Sequence, residues 1–205
     1  MKTPLLLATR NRGKRAELEA LLREAGLAVS VLTLEDFPGL PPVEEDGRTL
    51  EENARKKAEH AYAHTGIPAL ADDSGLEVEA LNGEPGVRSA RFAGPNATDA
   101  DNNALLLARL AGIGHRRARF RCVLAYADGL GVRLYEGCCA GRIAEAGRGE
   151  HGFGYDPLFV PDGFEQTFAE LEPQLKNRIS HRGRAFEAFL ADLRRRLAAS
   201  TGERR

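Results

Sequence analysis

Two neighbouring extended segments constrain the fold of this chain more than any other feature of its sequence. Ala118–Ala127 alternates in character, with Phe120 and Leu124 facing one way and arginines beginning the other face. A short Asp-Gly-Leu-Gly turn at residues 128–131 leads into a second extended segment, Val132–Ala140. Strands joined by so short a turn pair antiparallel, so a sheet of parallel strands alone does not accommodate them.

The N-terminal part, by contrast, alternates strands with helices. Leu5–Ala8 is predicted to be a buried strand, apolar residues at helical spacing follow from Lys14, and a second strand is predicted at residues 28–32. Thr49, with Glu52 three residues later, has the form of a capping box that opens the next helix. Together with the hairpin, this order predicts an α/β fold with a mixed sheet.

The last predicted helix covers residues 182–199 and carries a buried stripe of phenylalanine and leucine side chains. No linker, repeat or low-complexity block interrupts the 205 residues, of which 42% are hydrophobic. We therefore expect a single α/β domain over residues 1–199, followed by a frayed tail at residues 200–205.

Composition and charge exclude several classes of partner. Basic residues number 29 and acidic residues 30, so no positive field attracts nucleic acid, and Arg194–Arg196 fits a solvated helix face. The N-terminal apolar run is too short for a signal peptide, and no window reaches transmembrane length. Three cysteines, two of them adjacent, suit reduced thiols rather than a disulfide framework. These features predict a cytoplasmic protein that binds neither nucleic acid nor membrane.

Adjacent carboxylates at Asp72 and Asp73 carry the densest chemistry in the sequence. In an extended chain their side chains point to opposite faces, so they serve as equivalent metal ligands only where the chain turns. Ser74–Gly75 is predicted to supply that turn, between strands at Ala69–Leu70 and Glu77–Leu81. One aspartate then faces a metal while the other anchors the loop. A plain Asp-Ser-Gly turn after an edge strand explains the pair about equally well.

A second candidate site lies near the N-terminus. Thr9–Lys14 is a polar, glycine-containing turn between a strand and a helix, which directs free backbone N–H groups and the positive helix end to one point suited to phosphate. An ordinary turn with a solvated lysine is the alternative. Acidic residues 44–46 offer a further magnesium ligand, and Asn53 and Lys57 share one face of the following helix.

A third candidate site follows the central hairpin. The glycine-flanked turn at residues 152–157 allows a flat ligand to approach, with Phe153 or Tyr155 to stack on a base and Asp156 to accept from a purine N–H. Basic residues just ahead of the last helix offer donors to a carbonyl oxygen. Taken singly, an aromatic-anchored turn and a helix cap explain these segments as well.

Six motifs in this order closely resemble those of the inosine triphosphate pyrophosphatase family, whose members hydrolyse deaminated purine nucleotides. They lie at residues 8–14, 45–54, 71–76, 85–91, 152–159 and 180–183. Any one of them is common, whereas all six in order are hard to obtain by chance. Arg10 and Asp46 depart from the family pattern, and neither change removes an expected ligand.

The resemblance implies an elongated central mixed β-sheet with flanking helices, two lobes around a nucleotide cleft, and a homodimer. It implies hydrolysis of ITP, dITP and XTP to the monophosphate and pyrophosphate, with magnesium (Mg2+) as cofactor. By motif, Asp73 is the general base and a metal ligand, and Glu45 is the other metal ligand. The residues implied to bind substrate, the last seven of them holding base and sugar, are Thr9, Asn11, Gly13, Lys14, Lys57, Ser74, Phe153, Gly154, Tyr155, Asp156, Lys176, His181 and Arg182.

Two other functions stay open at this point. A Maf-like nucleotide pyrophosphatase has related architecture and other base preferences. A nucleotide sensor binds its ligand without cleaving it. The full acidic set disfavours a sensor, because a pure binder needs no base beside its metal.

Overall fold

The computed structural model describes residues 2–202 of the 205-residue chain. Three short 3-10 helices cover Leu34–Asp36, Glu79–Leu81 and Gly86–Arg91. The strands and α-helices are β1 (Thr3–Leu7), α1 (Arg12–Glu24), β2 (Val29–Thr33), α2 (Leu50–Thr65), β3 (Ala69–Val78), α3 (Asp99–Arg109), β4 (Arg117–Asp128), β5 (Gly131–Ile143), β6 (Phe159–Pro161), α4 (Pro173–Ile179) and α5 (His181–Gly202).

A six-stranded sheet organises these elements, in the strand order β2-β1-β3-β4-β5-β6. β1 runs parallel to both β2 and β3, whereas β5 and β6 are antiparallel. β4 and β5 are neighbours joined by only two residues, Gly129 and Leu130, so they form the antiparallel hairpin that the sequence predicts. The prediction of an α/β fold with a mixed sheet is therefore confirmed.

The chain folds as two compact units, of which the first contains residues up to 73, 123–136 and from 185 onward. Within it, α1 connects β1 to β2 and α2 connects β2 to β3, so the two crossovers run in opposite directions across β1. Right-handed crossovers in opposite directions place their helices on opposite faces of the sheet. α1 and α2 thus cover the two faces of β1, whose residues Leu5–Leu7 are buried.

The second unit contains residues 74–122 and 137–184 and has a core rich in phenylalanine. The ring centroids of Phe120 and Phe159 lie 4.7 Å apart, and those of Phe159 and Phe168 lie 5.0 Å apart. Leu106 and Leu110 bring α3 and its C-terminal end into the same cluster. This core supports the segment at 152–157, because Tyr155 and Leu158 are also part of it.

The turn predicted at Ser74–Gly75 is wrong, and so is the last part of the strand predicted at Glu77–Leu81. Ser74–Gly75 does not turn the chain, since β3 runs without interruption from Ala69 to Val78, and Glu79–Leu81 is a 3-10 helix rather than a strand. A Cβ atom at Gly75 would collide with the carbonyl oxygen of Gly86. The glycine is therefore present because two backbones approach closely, a use that the sequence pattern does not distinguish from a turn.

The last helix is longer than predicted. Ser180 Oγ accepts the Gly183 N–H at 3.1 Å, and α5 begins at His181 and continues to Gly202. Of the predicted frayed tail, residues 200–202 are helical and residues 203–205 lie outside the described part of the chain. Among residues 2–202, no helix combines the length and apolarity needed to cross a bilayer.

Candidate active site

The two adjacent aspartates point to different helices. Because β3 is continuous through them, their side chains lie on opposite faces of the sheet. Asp72 accepts two hydrogen bonds from Lys14 Nζ on α1, at 2.8 and 2.7 Å. Asp73 contacts side chains of α2. The crossover geometry that places α1 and α2 on opposite faces thus gives each carboxylate its own partner.

Asp73 lies between an amide and an ammonium group. Its Oδ2 accepts from Asn53 Nδ2 at 3.1 Å, and its Oδ1 accepts from Lys57 Nζ at 3.3 Å. Lys57 Nζ also donates to Glu45 Oε2 at 2.9 Å. The structure therefore brings the two predicted metal ligands, Glu45 and Asp73, into contact with the same ammonium group, that of Lys57.

Burial acts on the pKa values of both Asp73 and Lys57. Burial raises the pKa of the Asp73 carboxyl above its ordinary value, although Lys57 and the hydrogen bond from Asn53 act in the opposite direction. Burial acts to lower the pKa of Lys57, and attraction to nearby carboxylates, that of Asp73 foremost, outweighs it and raises that pKa. The result is a lysine whose charged form is favoured beside a carboxylate with enhanced affinity for a proton.

Asn53 connects this carboxylate to the acidic loop. Asn53 is only 1% exposed. Its Oδ1 accepts the Gly47 N–H at 2.8 Å, and its Nδ2 donates to Asp73. The loop that carries Glu45 is thereby fixed relative to Asp73. The sequence indicated that Asn53 and Lys57 share a helix face, and both side chains indeed contact Asp73.

The N-terminal turn differs from the prediction in its backbone groups. Asn11 is the N-cap of α1, and its Oδ1 accepts the N–H groups of Gly13 and Lys14 at 2.8 and 3.2 Å. Thr9 Oγ1 in turn accepts the Asn11 N–H at 3.1 Å. Three of the amides expected to be free are therefore hydrogen bonded, two of them to Asn11, because asparagine is among the strongest N-cap residues.

A cavity of about 340 Å³ opens beside this turn within the first unit. The charged side chains that line it are those of Arg10, Lys14, Glu45, Lys57 and Asp72. Asp73 contacts Lys57, so counting it with the lining residues gives three cations and three carboxylates at this site. Arg10, which departs from the family pattern, thus lines the same cavity as the predicted phosphate-binding lysines.

The 152–157 segment of the second unit is anchored from inside. The Asp156 carboxylate, on a residue 4% exposed, accepts from Lys176 Nζ at 2.5 Å and from the Phe153 N–H at 2.8 Å. Tyr155 is also buried, and its hydroxyl donates to the Ser89 carbonyl at 2.8 Å. Of the two candidate stacking rings, that of Phe153 is the exposed one, at 56%.

Two cations surround that exposed ring. Lys176 Nζ lies 5.2 Å and Arg182 Cζ 5.4 Å from the centroid of Phe153, within the range of cation–π attraction. His181, the neighbour of Arg182, is buried with its ring stacked on Phe120 at 4.7 Å. The second unit thus presents an aromatic face flanked by hydrogen-bond donors.

Ser74, predicted to touch substrate, lies in β3 directly after the carboxylate pair. Its Oγ is buried and has no hydrogen-bond partner among the residues that the structure describes. A buried hydroxyl without a partner is costly. It therefore has donor and acceptor capacity available for a ligand.

The sequence profile of the Ham1 family matches residues 5–192. The chain belongs to the Ham1 family. A relative named dITP/XTP pyrophosphatase, from Desulforamulus reducens, is 53% identical over 194 residues, covering 93% of this chain and 96% of its own. Another of the same name, from Methylococcus capsulatus, is 50% identical over 207 residues, covering 98% of this chain and 100% of its own.

Solved structures of Ham1 proteins share the fold. A HAM1 protein from Coxiella burnetii superimposes with a TM-score of 0.88 at 44% identity, covering 94% of this chain and 99% of that one. The nucleoside-triphosphatase / dITP/XTP pyrophosphatase from Mycobacterium abscessus gives a TM-score of 0.78 at 45% identity, covering 93% of this chain and 100% of that one.

The acidic residues of this Ham1 family chain fit a magnesium ion. Glu45 and Asp73 supply hard oxygen donors, and both already contact the same ammonium, that of Lys57. No group of three or more His, Cys, Asp or Glu residues within residues 2–202 is arranged to hold a metal. Magnesium usually takes only one or two protein carboxylates and keeps water and phosphate oxygens, so a pair suits it.

Three contacts in these sites were not anticipated from the sequence. They are the ion pair of Lys14 with Asp72, the hydrogen bond of Asn53 to Gly47, and the attachment of Gly154 to Asp99 and Asn103 on α3. The second joins residues six positions apart, a loop amide and a helix side chain, and the spacing of Asn53 and Lys57 does not indicate it. The others join residues more than 50 positions apart, and no local pattern indicates them.

Proposed function

We propose that this chain hydrolyses ITP, dITP and XTP to the corresponding monophosphate and pyrophosphate, and so removes deaminated purines from the nucleotide pool. The observation that carries the proposal is the half-buried Asp73 carboxylate, of raised pKa, held by Asn53 and Lys57 beside Glu45. A pure nucleotide binder has no use for a proton acceptor in that position. The names of the curated relatives support the same activity.

The reaction assigned to this cluster is attack of water on the α-phosphorus. Asp73 accepts the proton of the attacking water, an oxygen–phosphorus bond forms, and the bond from the α-phosphorus to the bridging oxygen breaks. Pyrophosphate leaves with that oxygen. Asn53 and Lys57 hold the Asp73 carboxylate in place, and Lys57 and Lys14 offset negative charge on the phosphates.

Magnesium is part of the proposal because the charges of the cavity require it. Three cations and three carboxylates leave the site near neutral, so it does not by itself attract a triphosphate of charge about −4. Glu45 and Asp73 would hold the ion, which would supply charge neutralisation on the phosphate oxygens when bound. Activity without a divalent cation, measured in EDTA, would contradict this part.

Base selection is assigned to the second unit. Hypoxanthine and xanthine carry a carbonyl oxygen at position 6, which accepts from donors such as Arg182 and Lys176. Adenine carries an amino group there, so the same donors would lose their partner, at a cost of about 10-fold or more in selectivity. The exposed ring of Phe153, flanked by those two side chains, is the surface on which a base can stack.

The decisive experiment identifies the anion released from ITP. Purified protein is incubated with ITP and MgCl₂, and pyrophosphate, orthophosphate and IMP are quantified, with Asp73→Asn as the inactive control. We expect equal amounts of IMP and pyrophosphate. Release of orthophosphate would place the attack on the γ-phosphorus, and tight binding without products would indicate a sensor. A preference for dTTP or UTP over ITP and XTP would indicate a Maf-like specificity.

A homodimer and a cytoplasmic location complete the proposal. The family resemblance favours the dimer, and the cysteine content of the sequence favours a reducing compartment. Light scattering of the purified full-length chain tests the first, with a mass near twice 22.3 kDa expected. Fractionation of cells that express the native protein tests the second.

A further inference from the structure

We term residues 152–156 the base loop. Helix α3 forms hydrogen bonds with both the backbone N–H and the backbone carbonyl of one residue in this loop, Gly154. The Gly154 N–H donates to Asp99 Oδ2 at 2.6 Å, and the Gly154 carbonyl accepts from Asn103 Nδ2 at 2.9 Å. Asp99 and Asn103 are four positions apart and therefore lie on one face of α3. No part of the proposed reaction uses either side chain.

We propose that Asp99 and Asn103 are positioning residues that set base selectivity by fixing the base loop. The inference rests on the proposed function, because it concerns how the purine is chosen. Neither side chain needs to touch the nucleotide. Both act through Gly154, whose backbone is bonded directly to that of Phe153, the exposed ring on which the base is proposed to stack.

Gly154 depends on this attachment, whereas its neighbours in the base loop have bonds of their own, with the Phe153 N–H donating to the Asp156 carboxylate at 2.8 Å. Asp156 and Tyr155 are anchored by their side chains to Lys176 and Ser89. Gly154 has no side chain, adopts a left-handed φ of +61°, and would meet nothing within 4 Å even if it carried a Cβ atom. A residue so placed is restrained through its backbone, and α3 provides those restraints.

Loosening the base loop is expected to reduce the selectivity between bases before it reduces the turnover number. Discrimination between a 6-carbonyl and a 6-amino group depends on donors held where only one of them fits. A loop that adapts can accept the wrong base as well as the right one. The phosphate chemistry assigned to Asp73 and Lys57 involves neither α3 nor the base loop, so the turnover number is expected to survive.

At Asn103, the hydrogen bond to Gly154 can be removed with little expected change in stability. Its Oδ1 is buried without a hydrogen-bond partner among the described residues, so the one described hydrogen bond of its side chain is the one to Gly154. Asn103→Leu removes that bond and also removes an unpaired buried oxygen, and these two effects on stability oppose each other. The variant is therefore expected to fold, with a loosened base loop.

The test compares kcat and KM for ITP and for ATP in Asp99→Ala and Asn103→Leu. Arg109→Ala is the matched control, because Arg109 also extends from α3 to a distant carboxylate, Glu84 at 2.7 Å, without contacting the base loop. Asp99→Asn, which keeps an acceptor for the Gly154 N–H, is the conservative rescue. Amide hydrogen exchange of residues 152–156, followed by mass spectrometry, reports on the loop independently of activity.

We expect Asp99→Ala and Asn103→Leu each to reduce the ITP-to-ATP ratio of kcat/KM by about 10-fold, through a higher KM for ITP at nearly unchanged kcat. Exchange in residues 152–156 should accelerate in both, while Arg109→Ala stays at wild-type values and Asp99→Asn recovers most of the ratio. If wild-type protein prefers ITP and both variants keep that preference, the inference is overturned and the proposed function stands. If wild-type protein does not cleave ITP, both fail.

Discussion

Asp72 and Asp73 are neighbours in β3, yet their carboxylates bond to lysines on different helices. Asp72 fixes Lys14 on α1, whereas Asp73 meets Lys57 on α2. The alternation of side chains along a strand therefore separates two roles that the sequence presents side by side. Asp72 holds a positive charge beside the cavity, and Asp73 is the proton acceptor of the proposed reaction.

Two matched substitutions separate these roles. Asp73→Asn is expected to lower kcat for ITP by about 10²–10⁴-fold, because an amide does not take the proton of water. Its melting temperature should not fall, since burial disfavours the charged carboxyl. Asp72→Asn should act mainly on KM, because Lys14 loses its restraint while Asp73 is untouched. Steady-state kinetics with thermal unfolding checks both, and equal losses of kcat would contradict the division of roles.

The sequence located the acidic pair but not its geometry. Asp-Asp-Ser-Gly is typical of a turn, and Gly75 instead accommodates the backbone of Gly86, whose carbonyl oxygen would collide with any Cβ atom there. That carbonyl comes from a separate segment, so no local pattern shows the collision. The alternation predicted for Ala118–Ala127 likewise holds only in its first part, because residues 122–127 are buried on both faces.

Local spacing succeeded where the relevant contact was itself local. Asn53 and Lys57 were predicted to share a helix face, and both reach Asp73. Thr49 was predicted to cap α2, and its Oγ1 accepts the Glu52 N–H at 3.1 Å. The second hydrogen bond of a capping box is different here, because the Glu52 carboxylate accepts the backbone N–H of Arg48 instead of that of Thr49. The attachment of Gly154 to α3 spans some 50 residues and requires the tertiary fold.

Asn53 should prove necessary for the acidic cluster without taking part in proton transfer. Asn53→Ala removes the bonds to Gly47 and Asp73 together, so Glu45 and Asp73 lose their fixed separation. We expect kcat to fall by about 10–100-fold and the magnesium concentration at half-maximal activity to rise. A magnesium titration of activity measures both effects.

The control for that substitution lies on the same helix. Arg55→Ala removes an exposed pair with Glu59, 3.7 Å apart, and should change neither value. If Asn53→Ala lowers kcat but leaves the magnesium requirement unchanged, Asn53 restrains Asp73 alone. A wild-type kcat would remove Asn53 from the site.

Phe153 should contribute to binding and little to stability. Its ring is 56% exposed, so Phe153→Ala exposes little that was buried. Loss of base stacking should raise KM for ITP about 10-fold with kcat nearly unchanged. Leu130→Ala, at an 81% exposed leucine in the β4–β5 turn, is the control for loss of an exposed apolar side chain. Kinetics and thermal unfolding test the pair, and equal KM values in both variants would exclude stacking on this ring.

A pH-dependent contribution to stability is expected from Asp192 on α5. Its Oδ2 accepts from Tyr135 Oη at 2.7 Å and forms an ion pair with Arg196 Nε at 3.1 Å. The hydrogen bond from Tyr135 foremost, and then the charge of Arg196, lower the pKa of Asp192 below its ordinary value. Because the folded state binds this proton less tightly than the unfolded chain, the stabilisation is present above about pH 4 and is lost as pH falls through the folded pKa.

Asp192→Asn should therefore lower the melting temperature at pH 7 by about 3 °C, the shift that about 1 kcal/mol produces in a chain of this length. The difference from wild type should shrink as the pH approaches 3, because the wild-type carboxylate becomes protonated and loses the same interaction. Glu187→Gln removes an exposed carboxylate of the same helix and controls for the change in net charge. A gap of equal size at pH 7 and pH 3 would show that the substitution acts through packing, since a charged hydrogen bond to Tyr135 cannot persist once its acceptor is neutral.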